Sequence, residues 1–180
     1  PSPKVSNISF EQKYPISEKL KRYPPNLDVV LESTDGYTTA IECKYTEPYA
    51  SNPRAFQKTY LKDLSLWANI PHIHTLSKSI YPQNNQFEYL YVEQLIKHIL
   101  GLLNYHNQNK NKFSLIYLYY SFPDKKGYKH EQEIAFFTEI ARKDNISYQS
   151  IAWQELIYNL AKQSEDKHEE YLSYLMGRYS

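Results

Sequence analysis

Four glycines and one cysteine in 180 residues exclude several chemistries at once. Four glycines are too few for most of the glycine-rich loops that cradle phosphates. The lone cysteine, Cys43, rules out a disulfide within the chain and fits a reducing compartment, so the cytoplasm is the expected location. Neither sign of charge dominates. With 21 Lys and Arg against 20 Asp and Glu, the formal net charge is +1. No overall basic field gathers nucleic acid, and any such contact must be local. No apolar run reaches the length of a membrane span, and no signal peptide is visible. The chain has one domain's worth of residues, and a single domain over 1–180 is expected. Its first residue is Pro1 rather than methionine, which leaves room for an upstream segment. Tyrosine, by contrast, is abundant at 19 copies. Tyrosines can stack on bases, but most belong at a core margin with the hydroxyl in water.

The most informative stretch is PPNLDVVLESTDGYTTAIECKYTEPY, residues 24 to 49. Two apolar runs, LDVVLE and TAIECKY, flank a polar link containing Asp35-Gly36, which reads as a hairpin. Side chains alternate along a strand, so Glu42 and Lys44 share one face and Ile41 and Cys43 the other, taken here as the inward one. Asp28 opens the partner strand. If it lies at the end that carries Glu42, two carboxylates and an ammonium converge. Charged residues are disfavoured inside strands, and buried charges must be paired or bind a metal. The chemistry that uses this trio is phosphodiester hydrolysis. Two carboxylates can hold Mg²⁺, which keeps several waters and accepts phosphate oxygens as ligands. A lysine beside them stabilises developing charge. The carbonyl of Cys43 is available as a further ligand.

Asp28, a spacer and then Glu42-x-Lys44 resemble the PD-(D/E)XK nuclease superfamily, the restriction-endonuclease-like group. The flanks Pro25-Asn26-Leu27-Asp28 and Tyr45-Thr46-Glu47-Pro48 are similar to bacterial restriction-endonuclease-like proteins. The likeness is tight over residues 24 to 49 and thin elsewhere. It departs from the superfamily pattern in that two residues separate Pro25 from Asp28. The resemblance implies a restriction-endonuclease-like α/β fold with a central mixed β-sheet flanked by helices. It implies catalytic roles for Asp28, Glu42 and Lys44, with Asp28, Glu42 and the Cys43 carbonyl around Mg²⁺, for which Mn²⁺ can substitute. The implied partner is DNA, cut in restriction or defence, with a homodimer among the assemblies to expect.

Along the rest of the chain, residues 5 to 13 read as a strand or an irregular lead-in, and 16 to 23 as a short helix stopped by Pro24-Pro25. The spacing of Phe56, Tyr60, Leu61, Leu64 and Trp67 predicts a helix over 54 to 70, ended by Pro71. Residues 71 to 87 read as a long polar connection. The strongest helix covers 88 to 106, with Val92, Leu95, Ile96, Ile99 and Leu103 as its stripe. SLIYLYY, residues 114 to 120, is a buried strand. A helix over 130 to 144, a strand over 146 to 153, and helices over 154 to 163 and 166 to 177 follow. The third early strand of the resembled core falls to residues 5 to 13 or to 75 to 81.

The resemblance also implies an acidic residue from the helix before the Asp28 strand, for which Glu18 is the candidate and Glu11 the reserve. It further implies a polar residue on a helix behind the site, for which Gln94 is the candidate, lying off the apolar stripe with His98 one turn on. Gln57 is a second choice for the helix polar group. Lys21, Arg22, Arg54 and Lys58 border the trio in sequence and are the nucleic-acid contacts to expect, although basic clusters are more often solvated surface. His72-x-His74 lacks the further ligands a zinc site needs. Two other readings stay open. One is a catalytically silent nuclease-like module that binds nucleic acid or protein. The other is an unrelated α/β domain whose E-x-K is a surface ion pair.

Overall fold

The computed structural model describes residues 4–20, 24–50, 54–163 and 168–179. Five strands, β1 (Val5–Lys13), β2 (Asn26–Ser33), β3 (Thr38–Lys44), β4 (Phe113–Tyr119) and β5 (Tyr148–Ala152), form one sheet in chain order. The first three are antiparallel neighbours, and β4 and β5 are added in parallel. The α/β class and the mixed sheet expected from the sequence are present, and the architecture is consistent with a restriction-endonuclease-like fold. The missing early strand is β1. It is an edge strand whose residues are nearly all exposed, including Ile8 and Phe10, so it carries little amphipathic signal.

The β2–β3 hairpin closes where the sequence places it. Gly36 takes a φ of 75°, a left-handed conformation that glycine adopts without a Cβ clash. The Asp35 carboxylate accepts the Tyr37 N–H and fixes the turn.

The helices are α1 (Lys58–Leu61), α2 (Pro71–Ser79), α3 (Val92–Tyr105), α4 (Lys125–Lys143), α5 (Trp153–Gln163) and α6 (Glu169–Tyr179). Three expectations need correction. The helix over 54 to 70 is broken into α1 and a 3₁₀ turn, Leu64–Trp67. Asp63 causes the break: its side chain bonds both the backbone N–H and the hydroxyl of Ser65, competing with the helical ladder. The short helix over 16 to 23 is only a 3₁₀ turn at Glu18–Leu20 within the described residues. The polar connection at 71 to 87 instead begins with α2. Pro71 opens that helix, where its missing N–H is no loss. No local side chain caps α2. The cap comes from Asp144, only 3% exposed, whose carboxylate accepts the N–H groups of His72 at 3.1 Å and Ile73 at 2.7 Å. Ile73, Leu76 and Ile80 then bury one face of α2.

The main core joins α2, α3 and α4 to one sheet face. Leu95, Ile96, Ile99, Leu102 and Leu103 of α3 pack in one cluster with Val30, Ala40, Phe113, Leu115 and Tyr117. Gly101 permits a close approach, since a Cβ there would lie 2.6 Å from the Tyr14 carbonyl oxygen. The start of α3 is fastened from α4: the buried Glu133 carboxylate accepts the N–H groups of Glu88, Tyr89 and Leu90. Leu118, Ile157 and Leu172 are buried apart from that core. Leu118 points away from the Tyr117 face, which puts the α5–α6 pair on the second side.

Burial along β3 inverts the expected faces. Thr38, Ala40 and Glu42 are buried, whereas Ile41 and Cys43 are only half-buried. Alternation separates two faces, but it does not say which one a helix will cover. Here α3 lies over the face that carries Glu42.

Candidate functional site

The β2–β3 register pairs Val30 with Ala40 and Val29 with Ile41. Extended by one pair, it sets Asp28 opposite Glu42, and opposed residues of antiparallel strands project to the same face. The ladder ends at this point because Asp28 takes it over. Its Oδ2 accepts the Cys43 N–H at 2.6 Å, a bond that a backbone carbonyl would otherwise make. The N–H and C=O of a strand residue face the same neighbour, so the Cys43 carbonyl is on the Asp28 side.

Glu42 is 1% exposed, and its carboxylate is held from several directions. Lys44 Nζ lies 2.6 Å from Oε1. Gln94, from the first turns of α3, donates to the same oxygen at 2.6 Å. His98, one turn further along α3, places Nε2 3.0 Å from Oε2, with a poor hydrogen-bond angle. The structure therefore brings Asp28, Glu42 and Lys44 together, and Gln94 joins them. His98 is the residue the sequence candidates omit. The available signal is its i+4 spacing from Gln94 in a helix whose surroundings are otherwise apolar.

Electrostatics follow from burial and proximity. Burial pushes the Asp28 carboxyl above its ordinary value. The Cys43 N–H and Lys44 oppose that rise, and Glu42 and Glu11 add to it. Burial also works against an ionised Glu42, but the His98 and Lys44 contacts outweigh it and hold Glu42 below the usual range. Lys44 is desolvated, yet Glu42 more than compensates and raises it. The Cys43 thiol is pushed up to about 12, by burial first and then by Asp28 and Glu42, so it is inert as a nucleophile.

The Thr-Glu-Pro segment that follows is a structural turn. Glu47 accepts the Tyr45 N–H, Pro48 is buried, and the Tyr49 hydroxyl reaches His130 of α4. Tyr45 stacks on Trp153 with ring centroids 4.8 Å apart. The Lys44 ammonium lies 5.9 Å from the Tyr91 ring centroid.

Other candidates fall outside this cluster. Glu18 is exposed in its turn and takes no part in the Glu42 contacts. The reserve, Glu11, is the acid whose charge Asp28 feels; the β1–β2 register sets it opposite Asp28, and it accepts a bond from Asn26. Lys21 and Arg22 lie outside the described residues. Arg54, Gln57 and Lys58 are exposed and make none of the contacts above. Lys110 and Lys112 are tethered to backbone carbonyls at Asn69, Asp144 and Asp35. The His72-x-His74 pair is divided, with His72 on Asp144 and His74 stacked on Trp67.

Among the described residues, no three His, Cys, Asp or Glu side chains gather as a metal cage. That does not suit zinc, which needs more protein ligands. Asp28 and Glu42 are donors of the kind Mg²⁺ uses, since it is commonly bound through one or two carboxylates and completes its shell with water and phosphate oxygens. Glu42 Oε2 is a buried acceptor with no hydrogen-bond partner among the described residues, so the donor set fits. No helix among them is long and apolar enough to cross a membrane.

A family model described as Restriction Endonuclease associating with ARP matches residues 2–180. No curated protein and no solved structure matches the chain.

Proposed function

The chain belongs to this restriction-endonuclease family, by a match that runs through residue 180, and from that premise we propose that it is a DNA endonuclease dependent on Mg²⁺, acting in restriction or defence. The observation that carries the reading is the convergence of Asp28, Glu42 and Lys44, with the ammonium 2.6 Å from the Glu42 carboxylate. Asp28 and Glu42, with the Cys43 carbonyl, would hold the cation, and Mn²⁺ would serve in its place. When bound, the metal supplies an acidified water and neutralises charge on the phosphate. Lys44 has three N–H donors and Glu42 engages one, so the others face the phosphate oxygens as negative charge builds on them. Gln94 keeps Glu42 from rotating away. Asp28 is fixed by its bond to the β3 backbone, so the two carboxylates are set before substrate arrives. The family description also names association with ARP, and by membership we extend that association to this chain.

The test is plasmid cleavage with and without Mg²⁺, using wild type and Lys44→Ala, with a melting curve on each preparation. Lys44→Ala is expected to lower the cleavage rate by roughly 10² to 10³-fold while the protein stays folded, the usual effect of deleting one transition-state contact. Metal binding should survive, because Lys44 is not a ligand. Full activity in folded Lys44→Ala would remove the catalytic assignment and leave a silent binding module as the better reading.

A further inference from the structure

His98 is hard to justify as core filling. Its residue exposure is 0%, and its helix neighbours Leu95, Ile99 and Leu102 are as deeply buried. Neither ring nitrogen makes a well-formed hydrogen bond. A buried polar group in that state costs on the order of 1 to 3 kcal/mol, so leucine would serve packing better. What His98 does touch is Oε2 of Glu42, at 3.0 Å from Nε2. A small ring rotation turns that contact into a donated bond. In either charge state of the imidazole, Nε2 can carry the hydrogen.

Gln94 and His98 are four residues apart on α3, so they stand side by side on one helix face. Together they span the two oxygens of one carboxylate. Oε1 takes both Lys44 and Gln94, which occupies its two lone pairs. Oε2 faces His98 alone and accepts no formed hydrogen bond, so it keeps a lone pair free even once His98 donates to it. The helix that carries this pair is itself fixed, by Glu133 at its start and by the close approach at Gly101.

We propose that His98 is a positioning residue that works with Gln94 as a two-point clamp on Glu42, fixing the carboxylate so that Oε2 is the oxygen offered to the cation. This rests on the metal-dependent reading above. The orienting partners of metal-binding carboxylates typically contribute 10 to 100-fold in metal affinity. His98 has that relation to Glu42, although it would not touch metal or substrate itself.

The test measures Mn²⁺ binding by calorimetry on the DNA-free protein, for wild type, His98→Leu, His98→Gln and His98→Asn, with a melting curve for each. His98→Leu should weaken Mn²⁺ binding by roughly 10 to 100-fold. His98→Gln should stay within about threefold of wild type, since its amide nitrogen reaches the place of Nε2. His98→Asn is too short to do so and should resemble His98→Leu. If His98→Leu does not fold, the contrast between the glutamine and asparagine variants decides the matter. A role in packing alone gives no reason for that contrast. Equal Mn²⁺ affinity across the folded variants, with wild type binding, overturns the clamp and leaves the metal reading standing. No Mn²⁺ binding by wild type removes both.

Discussion

Acidification should destabilise this protein through His130. The residue lies in α4 with 0% exposure. Its Nδ1 meets the Tyr49 hydroxyl at 2.9 Å and its Nε2 the Tyr117 hydroxyl at 3.1 Å. Burial pushes its pKa from an ordinary 6.5 down to about 4. The folded state therefore keeps the ring neutral where the unfolded chain would protonate it. Between these values the unfolded state binds the extra proton, so stability is full above 6.5 and falls as pH drops toward 4. The gap corresponds to roughly 3 kcal/mol in full, and about 2 kcal/mol of it is lost by about pH 5. The assay is urea unfolding at about pH 7.5 and about pH 5 for wild type and His130→Gln, whose side chain stays neutral throughout. Carboxylates titrate in both proteins, so the difference between their losses isolates the histidine. Wild type should lose about 2 kcal/mol more than the variant, or about 1 M in urea midpoint. Parallel losses would refute the reasoning. The outcome bears on the site, because Tyr49 belongs to the turn beyond Lys44 and Tyr117 sits beside Glu42 across the β3–β4 pairing.

Two further perturbations give separable outcomes. Asp28→Asn should raise the metal-free melting temperature, because burial and the nearby Glu42 charge lift the Asp28 pKa and an ionised Asp28 therefore works against folding at neutral pH. The same variant should lose the rise in melting temperature that Mg²⁺ or Mn²⁺ gives wild type, and an unchanged metal response would take Asp28 off the ligand set. Asp144→Ala removes the cap from α2 and should cost about 2 kcal/mol. Amide exchange would then show residues 71 to 79 opening first, and unaltered protection there would contradict the capping role.

The trio was legible because strand alternation is a strong rule: charges at 42 and 44 must share a face wherever the strand lies. Which face is buried was not legible, since that depends on the docking of α3. Gln94 could be proposed as a polar residue beside an apolar stripe. His98 looked like more of the same, because a helix histidine is usually solvated and only tertiary packing puts this one against Glu42. The strand β1 gave little pattern because it is an edge with almost nothing buried. The helix α2 is not legible for a different reason. Proline can end one helix or begin another, and the local sequence offers no cap to choose between them.

The source of that cap affects how the chain assembles. With nine residues, α2 is shorter than the roughly 12 to 15 at which isolated helices become even marginal in water. Its cap lies 72 positions downstream of His72, beyond β4 and the whole of α4. During synthesis, residues 71 to 79 therefore emerge long before the group that caps them. They must wait for the second half of the chain, and closing so long a loop brings an entropic cost that is recovered only when α4 docks. The backbone carbonyl of Asp144 also receives Lys110, which ties the approach to β4 to the same point. Residue 144 thus acts as a checkpoint for completeness: a nascent chain or proteolytic fragment that ends before it leaves the start of α2 without its cap, however well its first three strands have paired.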